Sequence, residues 1–172
     1  MSKARISVWL LTLSAAGFAS WQAHEGWTAS PVIPTQGDVP TVGHGSTRYE
    51  DGTPVRMTDP PITRKRAEEL ARNLNSEEEM RFSASIPHVD LHQAEFDVYM
   101  DFTGNFGIGN WRKSSMRKHL LAGEYRQACD ALLQWRKQAG RDCSLSANWG
   151  PQGCKGVWTR QRTRHEKCLA AQ

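Results

Sequence analysis

A chain of 172 residues, 38% of them hydrophobic, fits one domain with a real core and excludes two comfortable ones. Its formal charge of +4 is modest and spread along the sequence, which makes nucleic acid a poor partner, although it is compatible with an anionic polymer. The mean hydropathy of -0.62 describes a soluble protein with one exceptional segment.

That segment comes first. Lys3 and Arg5 precede Ile6–Ala23, 18 residues without a charge, just long enough to span a bilayer core as a helix. Basic residues in front would hold the N-terminus in the cytoplasm. Ser7, Thr12, Ser14, Gly17, Ser20 and Gln22 make it weakly apolar for a permanent anchor. Ala15, Ala16, Gly17 and Ala19 would suit cleavage of a signal peptide. The organisation expected is residues 1–23 as a signal-anchor or signal segment and 24–172 as the functional domain.

The helix-compatible stretch stops at Gly26, directly after Glu25. A carboxyl at the C-terminal end of a helix feels the negative pole of the macrodipole, which disfavours ionisation. Glu25 is therefore a candidate proton donor. Asp38 follows in a Pro/Gly-punctuated loop, three residues before Thr41, and is a candidate base or electrostatic partner. From Thr28 to Val55 the composition predicts a small antiparallel sheet, with Asp51-Gly52 as a hairpin turn. His44, between two glycines, is either a substrate contact or a turn histidine supporting that sheet.

Helices follow. Thr63 caps one carrying Ala67, Leu70, Ala71 and Leu74 at helical spacing. Ser76-Glu77-Glu78-Glu79 matches a capping box, so the helix is expected to break or restart there. Asp90 and Gln93 form another capping signature before Ala94, Val98, Tyr99 and Phe102, a helix expected to end in the turn G-N-F-G-I-G-N. Ser114 or Ser115 starts the next helix and Gly123 breaks it. Tyr125, Cys129, Leu132 and Leu133 make a further amphipathic face. Thr159–Ala170 closes the chain as a basic helix whose Arg160, Arg162, Arg164 and Lys167 read as a solvated face. The whole is an α+β architecture, a small β-containing lobe and a larger helical lobe with a cleft between them.

The four cysteines, at 129, 143, 154 and 168, have no zinc-ligand spacing and favour disulfides in an oxidising compartment. Of three possible pairings, Cys143–Cys154 would close a polar loop and Cys129–Cys168 would tie two helices. His88 and His92 lack a third ligand, so no metal and no cofactor is expected.

E-G-W at Glu25, G-D-V-P-T-V-G-H-G-S-T from Gly37 and F-D-V-Y-M-D-F-T-G-N-F-G-I-G from Phe96 resemble the phage-type lysozymes of glycoside hydrolase family 24, in order from about Glu25 to Cys168. The resemblance implies a lysozyme-like fold and a catalytic trio on Glu25, Asp38 and Thr41. Many members place the Asp six residues before the Thr, where this chain has Thr35. It further implies substrate contacts at Asn105 and Ser115. Gly104 stands where an aromatic is common, leaving sugar stacking to Phe106 or Trp111.

The activity so implied is an endolysin, a muramidase hydrolysing the β-1,4 bond of peptidoglycan during phage-induced lysis. Glu25 would protonate the leaving oxygen while Asp38 and Thr41 hold the attacking water. Inversion is expected, with carboxyls roughly 6.5–9.5 Å apart. Relatives of this type include signal-anchor-release forms, which wait on the host inner membrane and become active in the periplasm. The implied partners are peptidoglycan, the inner membrane and, functionally, a holin-type lysis protein, with the enzyme itself a monomer. Two alternatives remain: a lytic transglycosylase on the same bond, which needs one acid, and a non-catalytic membrane-tethered wall-binding protein.

Overall fold

The computed structural model describes residues 4–172, with the backbone alone at His24 and Glu25. Lys3, one of the two basic flanking residues, lies outside the described residues. The chain divides into two compact units, one comprising the segment up to Leu11 with Phe82–Gln172, the other Thr12–Arg81.

The uncharged stretch Ile6–Ala23 does not form the single helix expected. Ile6–Ser7 is a strand, β1, followed by a tight 3-10 turn at Val8–Leu10, and helix α1 runs only over Ala15–Glu25. The polar residues that weakened the stretch as an anchor decide the break. Ser14 caps α1, its hydroxyl accepting the Gly17 N–H at 3.0 Å, so the helix begins after it. Among the described residues no helix is long and apolar enough to cross a membrane.

In the Thr12–Arg81 unit, α1 is followed by the strands β2 (Thr28–Val32) and β3 (Thr41–Gly43), paired antiparallel with Thr28 opposite Gly43 and Val32 opposite Thr41. A bridge between Arg48 and Pro54 closes the Asp51-Gly52 hairpin. Helix α2, Arg64–Ser85, begins in this unit and ends in the other. Phe18 and Trp21 of α1 pack with Ala71, flanked by Leu13 and Leu74; Val42, Val55 and Leu70 form a second cluster with Tyr49 and Ile62. Thr63 caps α2 through the Arg66 N–H at 3.2 Å. The break expected at Ser76 is absent because Glu79 is used elsewhere: its carboxylate accepts the Leu13 N–H at 2.8 Å instead of turning back on Ser76.

In the other unit β1 pairs antiparallel with β4 (Asp90–Leu91), and Val8 and Leu11 are buried. Helix α3 spans Gln93–Phe106 and is capped at His92, two residues later than expected, because Asp90 is taken by β4 and Glu95 accepts the His92 N–H at 2.8 Å. Gly104 and Asn105 lie inside α3 rather than in a glycine turn; the turn is the single residue Gly107, after which α4 (Ile108–Lys113) starts. Helices α5 (Ser115–Leu121, capped by Ser114), α6 (Tyr125–Ala131) and α7 (Lys155–Leu169) follow, with the two-residue strands β5 (Lys137–Gln138) and β6 (Arg141–Asp142) before α7. Phe82, Phe96, Tyr99, Phe102 and Trp111 form the aromatic heart of this unit. The Trp111 indole N–H is satisfied by Ser85 at 2.8 Å. Disulfides join Cys129 to Cys168 and Cys143 to Cys154.

Among the described residues, two charged side chains are buried against expectation from composition. Arg164 of α7 is 3% exposed, not part of a solvated face, and bonds the Asp101 carboxylate at 2.6 Å. Glu95 is wholly buried and is held by Arg5 through two bonds, at 3.0 and 3.2 Å, and by the Gln172 amide at 2.7 Å. The Arg5 guanidinium also lies 3.7 Å from the Tyr125 ring centre. An N-terminal basic residue is thus the counter-charge of an internal carboxylate. Removing one member of a buried pair leaves the other uncompensated, so Arg5→Ala is expected to lower unfolding free energy by about 3 kcal/mol in urea titrations. Replacing Cys129 and Cys168 by Ala is expected to cost about 3–4 kcal/mol, because their bond closes a 39-residue separation.

Candidate active site

The candidate residues Glu25, Asp38, Thr41 and His44 all belong to the Thr12–Arg81 unit. Glu25 is the last residue of α1. Gly26 ends the helix with φ +65° and ψ -161°, backbone that a residue with a side chain rarely adopts, and β2 begins two residues later. An acid followed at once by glycine thereby stands at a helix C-terminus.

Thr41 opens β3, and its hydroxyl donates to the Val32 carbonyl at 3.4 Å. Asp38 is exposed in the β2–β3 connection, where its N–H closes a turn onto the Thr35 carbonyl at 3.0 Å. Thr35 and Asp38 therefore share one turn. Asn105 and Ser115 lie in the helical unit. Asn105 is exposed on α3 and accepts from Arg164 at 3.5 Å, while the Ser115 hydroxyl donates to Gln134 at 3.3 Å. Trp111 cannot stack on a sugar because it is wholly buried; Phe106, half-buried, stacks on Phe102 with ring centres 4.7 Å apart.

His44 is only 5% exposed, and both ring nitrogens meet protein atoms. Nδ1 bonds the Gly26 carbonyl and Nε2 meets the Gln22 amide at 3.3 Å. The Gly26 oxygen can only accept, so Nδ1 carries the proton and Nε2 of the neutral ring accepts from Gln22. Gln22, Ala23, Gly26, Trp27, His44, Arg64 and Glu68 border a hollow of about 340 Å³ beside this contact. Trp27 is partly exposed there, with the Arg64 guanidinium 5.6 Å from its ring centre. Among the described residues no group of His, Cys, Asp or Glu is arranged to hold a metal ion.

Against known proteins, the model of the phage lysozyme family matches residues 22–147. The chain belongs to the phage lysozyme family. It is 28% identical over 134 residues to an endolysin of Bacillus phage B103, covering 76% of this chain and 48% of that protein. It is 30% identical over 84 residues to a SAR-endolysin of Enterobacteria phage PA-2, covering 49% of this chain and 44% of the other. The chain thus spans about half the length of either relative. Among solved structures, a P22 lysozyme mutant superposes with a TM-score of 0.72 at 24% identity, covering 93% of this chain and 99% of that one. The lysozyme-like α+β fold follows from that likeness.

The support that His44 and Gln22 give to the Glu25–Gly26 turn was not foreseen from this phage lysozyme's sequence. The signal available was the histidine between glycines, which pointed to a sheet-supporting turn without naming its partner. Gly43 is required by close packing. A Cβ there would lie 3.0 Å from Ala67 Cβ and 3.2 Å from its Cα, so β3 rests directly on α2. Gly43→Ala, at φ +65°, is expected to cost about 2 kcal/mol, read as a fall in Tm, with Gly45→Ala as an exposed comparison.

Proposed function

We propose that this phage lysozyme is an endolysin, a glycoside hydrolase that cuts the β-1,4 linkage between N-acetylmuramic acid and N-acetylglucosamine in peptidoglycan. The observation that carries the reading is Glu25 at the very end of α1, two residues before the ribbon of β2 and β3 that Thr41 belongs to. Glu25 delivers a proton to the glycosidic oxygen as the bond to the anomeric carbon breaks. Asp38 and Thr41 orient a water that adds to that carbon, and Asp38 takes up the released proton. Asn105 and Ser115 are substrate contacts. The family match over residues 22–147 and the endolysin relatives support this reading.

The N-terminal segment is exported and kept. Residues 1–23 tether the newly made chain to the host inner membrane, leave the bilayer after a holin-type protein permits lysis, and fold into the periplasmic enzyme as a monomer. The SAR-endolysin relative supports tethering. Retention is supported by burial: Val8, Leu11, Phe18 and Trp21 are core residues, and Arg5 neutralises Glu95. Cleavage after residue 23 would remove all of these contacts.

General acid catalysis contributes roughly 10²–10⁴-fold. Glu25→Gln is therefore expected to slow turbidity loss of permeabilised Gram-negative cells by about 100-fold or more, and Asp38→Asn by about tenfold or more. Wild-type lysis by Glu25→Gln overturns the assignment. N-terminal sequencing of periplasmic protein is expected to read from the original N-terminus; a start near residue 24 would contradict retention.

A further inference from the structure

The β2–β3 ribbon and α1 meet at one place. Thr28 of β2 lies opposite Gly43 of β3, and the backbone pairing goes no further toward the helix. The next link is made by a side chain: His44, immediately after β3, reaches the Gly26 carbonyl between Glu25 and β2. Its other nitrogen is pinned by Gln22, one turn earlier on α1. One imidazole therefore grips the helix on both sides of Glu25 in sequence. Its own backbone is held too, because Gly43 is pressed on Ala67 of α2 and Val42 bonds Ser46 in both directions at 3.0 Å. The His44 ring is itself buried, its centre 6.1 Å from that of the Trp21 ring.

We infer that His44 is a positioning residue for the reaction: it fixes the peptide plane that follows Gly26, the residue after Glu25, and with it the place of that helix end relative to β3, the strand that Thr41 opens. This rests on the reading of Glu25 as the acid. Carbonyls in the last turn of a helix have no intrahelical partner, so without His44 the Gly26 oxygen would turn to water or elsewhere. Glycine offers no side chain to resist that rotation. A shift of about 1 Å in a reacting group costs on the order of 100-fold in rate. Substrate affinity, set by contacts elsewhere along a polymer, would hardly change.

The two nitrogens can be tested separately, because an Asn side chain carries an N–H near the position of Nδ1 whereas Gln reaches the position of Nε2. With soluble peptidoglycan fragments as substrate, His44→Gln is expected to lower kcat about 10–100-fold with KM within about twofold. His44→Asn, keeping the bond to Gly26, is expected to stay within about fivefold of wild type. Gln22→Ala, which frees the ring but leaves its Nδ1–H, is expected to lie between, at a several-fold loss in kcat. Rates are referred to folded protein, with Tm measured for each variant, and Gln22→Ala serves alone if the His44 variants do not fold. Equal kcat for His44→Gln and His44→Asn, a change confined to KM, or an unchanged Gln22→Ala overturns the inference. An active Glu25→Gln would instead overturn the reading beneath it, whatever the His44 variants do.

Discussion

The end of α1 must satisfy two demands that pull against each other. The helix must stop at Glu25 so that β2 can start at Thr28, yet stopping leaves carbonyl groups without intrahelical partners. The chain resolves this with Gly26, whose backbone leaves the helix abruptly, and with His44, which donates to the freed carbonyl. Around that bond the rest of the unit is arranged: β2 departs from it, β3 returns to it, and α2 supports β3 at Ala67. The hydrogen bond itself contributes only about 1 kcal/mol to stability. Its larger consequence is geometric.

The other unit depends on a different pairing. Glu95 sits fully buried at the start of α3, where it accepts from the His92 N–H, from Gln172 and from Arg5. Three parts of the chain distant in sequence, the N-terminal segment, α3 and the last residue, therefore converge on one carboxylate. The Cys129–Cys168 disulfide lies beside them, with Gln172 contacting Cys129 at 3.5 Å. In the N-terminal stretch Ser14 and Arg5 have specific places in the fold, one as a helix cap and one as the counter-charge of Glu95.

Much of this was legible in the sequence. Turn chemistry located the Asp51-Gly52 hairpin, hydrophobic spacing located α2 and α3, the basic run from Thr159 located all but the first turn of α7, and the stop at Gly26 placed Glu25 at a helix end. The failures have a common cause, which is tertiary competition for a local signal. Glu79 looks like a capping residue but bonds Leu13; Asp90 looks like a cap but belongs to β4; the G-N-F-G-I-G-N stretch looks like a turn but packing of Phe102 and Phe106 carries α3 through it. The 18 uncharged residues looked like one helix, and a single serine cap divides them. Burial of Arg164 and Trp111 was equally invisible, since composition does not reveal which member of a basic or aromatic set faces inward.

For the site, the sequence supplied residue types and order, while the partner of His44 needed three dimensions. Asp38 stands three residues before Thr41, and Thr35 occupies the other end of its turn, so the carboxylate of this turn is exposed. Whether that carboxylate serves a water is written in the product. Digestion of purified peptidoglycan followed by mass analysis of the glycan ends measures it directly. The account predicts new reducing N-acetylmuramic acid ends, one water heavier than the alternative; 1,6-anhydro ends, or no newly cut glycan at all, would contradict it.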